Sequence, residues 1–71
     1  MMRVSYDEEH NAAYIHLGDA SLRPVKTVQV PDIEPWTVNL DFDGAGRLLG
    51  IEVLDARQVL PESLLAPDVP D

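Results

Sequence analysis

The chain predicts a mainly β fold: a single-layer antiparallel meander of four to five strands with a short C-terminal helix, α+β only if that helix is counted. Three observations predict it. Apolar residues recur at every second position, helical periodicity is nearly absent, and the alternating runs are separated by turn-forming clusters. At 71 residues this is one domain, near the lower limit for folding alone.

The first strand is carried by Met2, Val4 and Tyr6 alternating with Arg3 and Ser5, and the polar cluster DEEHN turns the chain. AAYIHL follows, with Ala13, Ile15 and Leu17 on one face and Tyr14 and His16 on the other. Gly18, Asp19, Ala20 and Ser21 mark the next turn. A third strand, about Val25 to Val30, sets Val28 and Val30 against Thr27 and Gln29; Pro24 suits only its beginning or a sheet edge. PDIEPW then forbids helix and central strand alike, because two prolines four residues apart remove donors and restrict their neighbours.

After that crossing the alternation is at its cleanest. Val38, Leu40 and Phe42 face one way, and Thr37, Asn39, Asp41 and Asp43 the other. LLGIEVL repeats the scheme with Leu49, Ile51 and Val53 inward. A four-residue loop, Gly44 to Arg47, would set Phe42 opposite Leu49, Leu40 opposite Ile51 and Val38 opposite Val53, with Asn39 beside Glu52 and Asp41 beside Gly50. Gly44 and Gly46 are expected to take the positive φ angles of the turn. Beyond it, Asp55 is placed to cap a helix from Ala56 to Leu60, which Pro61 ends or restarts. Val59, Leu60, Leu64 and Leu65 would then cover part of one sheet face. Residues 1–60 are read as the β-rich domain and 61–71 as an acidic, proline-containing tail.

The hairpin also imitates a calcium loop. In DFDGAGRLLGIE, Asp41, Asp43, Gly46 and Glu52 occupy positions 1, 3, 6 and 12 of that pattern. Ala45 removes the ligand at position 5, and the flanks have strand rather than helix periodicity, so a calcium sensor is rejected. Asp41, Asp43 and Glu52 remain the candidates for loose binding of a divalent cation or small ligand on the polar sheet face, with His16 as a further donor. Turn chemistry and a wet outer face explain the same residues without a ligand.

Other chemistry is thin. With no cysteine, disulfides, thiol catalysis and cysteine-based zinc sites are excluded. His10 lies among Asp7, Glu8 and Glu9 on a tight turn, where side chains diverge. His16 shares a strand face with Tyr14, but Ser5, Ser21 and Ser63 lack the context of a nucleophile. No catalytic residue and no cofactor are expected, and the chain is not read as an enzyme. Trp36 is either an interface anchor or a plug for the open end of the sheet; with Tyr14 and His16 it makes up the candidate partner-binding set.

Five basic against thirteen acidic residues give a net charge of −8, which opposes binding to nucleic acid and anionic membrane. Residues 1–30 carry a net −1 and residues 31–71 a net −7. MMRVSYDEEH meets charge within a few residues, so neither a signal peptide nor a membrane anchor is expected, and the location expected is cytoplasmic.

Val4 to Leu17, VSYDEEHNAAYIHL, and Val38 to Ala56, VNLDFDGAGRLLGIEVLDA, together resemble the DUF2283 family of small proteins of unassigned function. The resemblance lies in a tyrosine–aspartate turn followed by an aromatic–isoleucine strand, then an Asp-rich turn leading to Gly-Ile-Glu and an apolar pair. It implies a compact β-rich domain and brings no catalytic or metal-binding residues.

One apolar sheet face must be covered, and the C-terminal segment offers too few large side chains for it. The expectation is therefore a self-associating or partner-binding module, completed by oligomerisation with a dimer favoured. An antitoxin-like neutraliser of a basic protein is one form of it, motivated by the acidic second half.

Overall fold

The computed structural model describes residues 3–19 and 22–65. The alternation produces five strands: β1 (Arg3–Asp7), β2 (Ala12–His16), β3 (Lys26–Gln29), β4 (Val38–Phe42) and β5 (Leu48–Leu54). All pair antiparallel in one sheet, ordered β1-β2-β5-β4-β3. The chain thus meanders twice, through β1-β2 and through β3-β4-β5, and pairing of β2 with β5 joins the two runs. LLGIEVL, the longest and most apolar strand, takes the centre, where both its edges are hydrogen-bonded.

Register sorts the side chains into faces. One carries the row Val4, Ile15, Ile51, Leu40, Val28 and the row Tyr6, Ala13, Val53, Val38. The other carries Arg3, His16, Gly50, Asp41, Thr27 and Ser5, Tyr14, Glu52, Asn39, Gln29. The expected pairs Val38–Val53, Leu40–Ile51, Asn39–Glu52 and Asp41–Gly50 are all present. Phe42 instead faces Leu48, because a register shift after Asp41 makes Leu49 an extra residue in β5. The Leu49 carbonyl accepts the N–H groups of Leu17 (2.8 Å) and Gly18 (3.1 Å), and its side chain is buried. The bulge lets one strand serve partners on both sides.

In the β4–β5 turn, Asp43 Oδ1 accepts the N–H groups of Ala45 and Arg47, each at 2.9 Å. Gly46 has φ 84°; Gly44 does not take a positive φ, since the side-chain bonds of Asp43 shape that half of the turn. In the β1–β2 turn, Asp7 Oδ1 accepts the N–H of His10 (3.3 Å), and Asp7 Oδ2 lies 2.7 Å from His10 Nδ1. That side-chain bond is the chief cause holding the Asp7 carboxyl below its usual pKa.

The helix, α1 (Ala56–Val59), is shorter than expected because Leu60 is already extended. Asp55 precedes it with φ 53°, and its side chain caps nothing. The capping oxygens come from the β1–β2 turn: Asn11 Oδ1 accepts the Arg57 N–H (3.0 Å) and the Asn11 carbonyl accepts the Ala56 N–H (2.9 Å). Asn11 also takes the Tyr6 hydroxyl proton on Oδ1 (3.0 Å) and donates to Gln58 Oε1 (2.9 Å), with φ 51°. A 3-10 turn over Glu62–Leu64 follows, and Leu65 enters the core. Leu65, beyond the expected boundary at residue 60, is buried against the sheet. The rest of the expected tail, 66–71, lies outside the described residues.

The core is small and sits at one end of the apolar face. Ala13, Val53, Ala56 and Leu65 are buried together, with Val4, Tyr6, Val38, Ile51, Val59 and Leu60 packed around them. The molecule is a slab, 34 × 33 × 18 Å, with a radius of gyration of 12.6 Å. A chain of this length packed into a sphere-like domain would have about 11 Å.

Asn11 should matter more than its exposure suggests. Asn11→Ala removes an outside cap and places a Cβ-bearing residue without local hydrogen bonds at positive φ, and should cost about 1–3 kcal/mol in urea unfolding. Asn11→Gly, which keeps the backbone angle at ease, should cost less than the alanine variant; equal losses would show that the backbone angle plays no part.

Candidate functional site

The polar face and the open end of the apolar face are the two surfaces that could act on another molecule. On the polar face a chain of side-chain contacts crosses all five strands. Thr27 Oγ1 on β3 donates to Asp41 Oδ1 on β4 at 2.6 Å. The Tyr14 hydroxyl on β2 donates to Asp41 Oδ2 at 2.7 Å, reaching over β5 to do so. The Tyr14 ring lies 4.7 Å from that of His16, whose Nε2 is 2.9 Å from Ser5 Oγ on β1. Asn39 Nδ2 donates to Glu52 Oε1 at 2.9 Å.

Gly50 makes the reach of Tyr14 possible. The phenol lies flat on the Gly50 backbone, and a methyl there would overlap the hydroxyl and two ring carbons. Burial of the phenol beside Asp41 pushes the Tyr14 pKa up to about 12: desolvation contributes most, then the hydrogen bond to Asp41, then the charges of Asp41 and Glu52. The neutral phenol is therefore the form that belongs to the fold.

The three cation candidates are occupied separately. Asp41 binds Tyr14 and Thr27, Glu52 binds Asn39, and Asp43 organises its turn. Among the described residues, no group of three His, Asp or Glu side chains is arranged to hold a metal ion. Ser5 and His16 have the contact of a hydroxyl with a base, but Ser5 is exposed on a flat edge strand that shields no reacting group from water. Tyr14 and His16 are engaged within the polar face, while Trp36, 38% exposed, lies in the crossing before β4 with its backbone N–H on the Ile33 carbonyl. The expected partner-binding set is thus split between the sheet face and a loop.

Among the described residues, the core cluster occupies the α1 end of the apolar face. Away from it, Ile15, Leu40, Phe42 and Val28 lie outside the core cluster, although they continue its rows. Val28, Leu48, Leu22 and Val25 are exposed, Val25 at 73%. Between β3 and the β4–β5 turn lies a shallow groove lined by Val25, Lys26, Val28, Phe42, Asp43, Gly44 and Gly46. Alternation made the face legible in advance. Which end the helix would cover, and the roles of Asn11, Gly50 and Thr27, depend on strand order.

The family model for DUF2283, described as a protein of unknown function, matches residues 3–57. The chain belongs to the DUF2283 family. The matched span holds every strand of the sheet and both backbone N–H groups that Asn11 caps. No curated protein and no solved structure matches the chain. Membership of DUF2283 thus rests on the sheet and its joint with α1, and function has to be argued from surfaces. Among the described residues, no helix is long and apolar enough to cross a membrane.

Two measurements check the polar face. Gly50→Ala should destabilise by about 1–3 kcal/mol through overlap with Tyr14. In a Tyr14→Ala background the same change should be neutral or mildly stabilising, because glycine in a strand costs conformational entropy. Equal costs in both backgrounds would remove Tyr14 as the cause. The raised Tyr14 pKa also gives stability its sign. The contribution is complete below the unfolded-state value near 10 and is lost as pH climbs from there to about 12. Absorbance titration should show a tyrosinate component near 12 that Tyr14→Phe abolishes.

Proposed function

We propose that the chain is a non-enzymatic binding module whose working surface is the open half of its apolar sheet face. One observation carries the reading: the apolar face that forms the core at the α1 end continues past it through Ile15, Leu40, Phe42 and Val28, which among the described residues lie outside the core cluster, the first three half-buried and Val28 exposed. An antiparallel sheet tolerates one wet face, and here the polar face already fills that place. Apolar surface contiguous over several strands marks an interaction site.

Charge supports apolar contact over capture of a basic partner. Asp41 and Glu52 are turned to the opposite face, and the groove lining includes one lysine, Lys26, and one carboxylate, Asp43. The −7 of the second half thus gives no excess of carboxylates at the surface that most needs a partner. In this reading the module works in the cytoplasm, where its net charge of −8 keeps it off anionic lipid.

A probe on Val28 tests the proposal. The chain has no cysteine, so Val28→Cys labelled with a polarity-sensitive dye gives one reporter on the open half. In extract of the source cells the dye should be shielded from water, with blue-shifted emission and loss of quenching by iodide. Emission and quenching like those of free dye in extract would show that the surface is not a binding surface.

A further inference from the structure

Resting on that reading, we infer that the occupant of the open half is a second copy of this chain, packed face to face about a twofold axis. Three features of the surface select that partner.

The first is what the chain itself can supply. Leu65 ends the described structure inside the core at the covered end. Residues 66–71, APDVPD, bring a single large apolar side chain, Val69, beside two prolines and two aspartates. That composition offers little apolar area to lay over Ile15, Leu40, Phe42 and Val28, whereas a second sheet offers a whole face, at the roughly 10 Å spacing at which sheet faces interdigitate.

Charge is the second. A twofold contact brings a patch against itself, so it must be self-complementary. The groove with its single Lys26 and single Asp43 is neutral and offers each copy one partner of opposite sign. At this groove two copies can therefore meet without an excess of carboxylates, with Asp41 and Glu52 on the far side of each sheet.

The third is that the sheet edges discourage the other route to a dimer. β3 is four residues long, with Pro24 before it and Pro31 after it, and β1 is bracketed by Arg3 and Asp7. Short, proline-flanked and charged edges resist strand-to-strand extension. Association through the face is what remains.

The test is sedimentation equilibrium of the purified 71-residue chain across the micromolar range, with circular dichroism as the check on folding. Wild type should have the mass of a dimer. Val28→Asp, on the apolar face of β3, should raise the dissociation constant by about 100-fold or more. Gln29→Lys, next along the same strand but on the polar face, should leave it unchanged. If Val28→Asp loses the β spectrum, Val25→Asp takes its place, because Val25 is 73% exposed and outside the strands. A dimer that survives the aspartate variants, or is lost equally with Gln29→Lys, overturns the face-to-face arrangement. A purified wild-type monomer overturns the second copy as partner. Shielding of the Val28 probe in extract would then leave the binding-module reading standing, and an exposed probe there would sink both.

Discussion

Pairing of β2 with β5 is the contact on which the molecule depends. Without it the chain is a two-stranded hairpin and a separate three-stranded run, and a lone hairpin is at best marginally stable in water. With it, β5 becomes a central strand and its alternate residues define both faces at once. Val53 and Ile51 point to the apolar side, Gly50 and Glu52 to the polar side. The bulge at Leu49 follows from the same demand, since β5 must satisfy β4 near its start while giving a carbonyl to Leu17 and Gly18. Tyr14 then reinforces the joint from above, crossing β5 at its one side-chain-free position to reach Asp41. Asn11 reinforces it from the end by capping α1 onto the turn before β2.

These reinforcements account for what local patterning could and could not reveal. Period-two alternation named the strands, and apolar matching across a four-residue loop set four correct pairs between β4 and β5. The Phe42 pairing moved by one because the bulge answers to β2, a strand far away in sequence. Helix capping followed the same pattern: Asp55 is the residue type that caps from its own position, yet it adopts a left-handed backbone and leaves the role to Asn11. The Tyr14–Asp41 bond joins residues on strands that are not neighbours, so no pairwise rule between adjacent strands would find it. In each case local chemistry was legible and the partner was not, because the partner is set by strand order.

The contrast between the faces bears on function more than any single residue does. On the polar face the acidic side chains that looked like ligands, Asp41 and Glu52, already accept hydrogen bonds from Tyr14, Thr27 and Asn39. On the apolar face the balance is reversed. Ala13 and Val53 find Ala56 and Leu65 above them, while the same sheet carries Ile15, Leu40 and Val28 out beyond the core cluster, where Val28 is exposed. Displacing a satisfied hydrogen bond gains little, whereas removing apolar surface from water gains about 25 cal/mol per Å². In the binding-module reading, the free energy for binding comes from one half of one face.

Size turns that imbalance into a constraint on folding. A core worth about 3–5 kcal/mol net is typical of chains this short, and they commonly need a staple. Here the chain has no disulfide, and its core cluster has four buried members, two of them alanine. A partner on the open half would add a layer where the intramolecular core stops, and any species that binds only the folded chain raises its stability with concentration. Folding and binding would then draw on the same surface: each row of side chains that begins in the core of one molecule would end in the interface with the next.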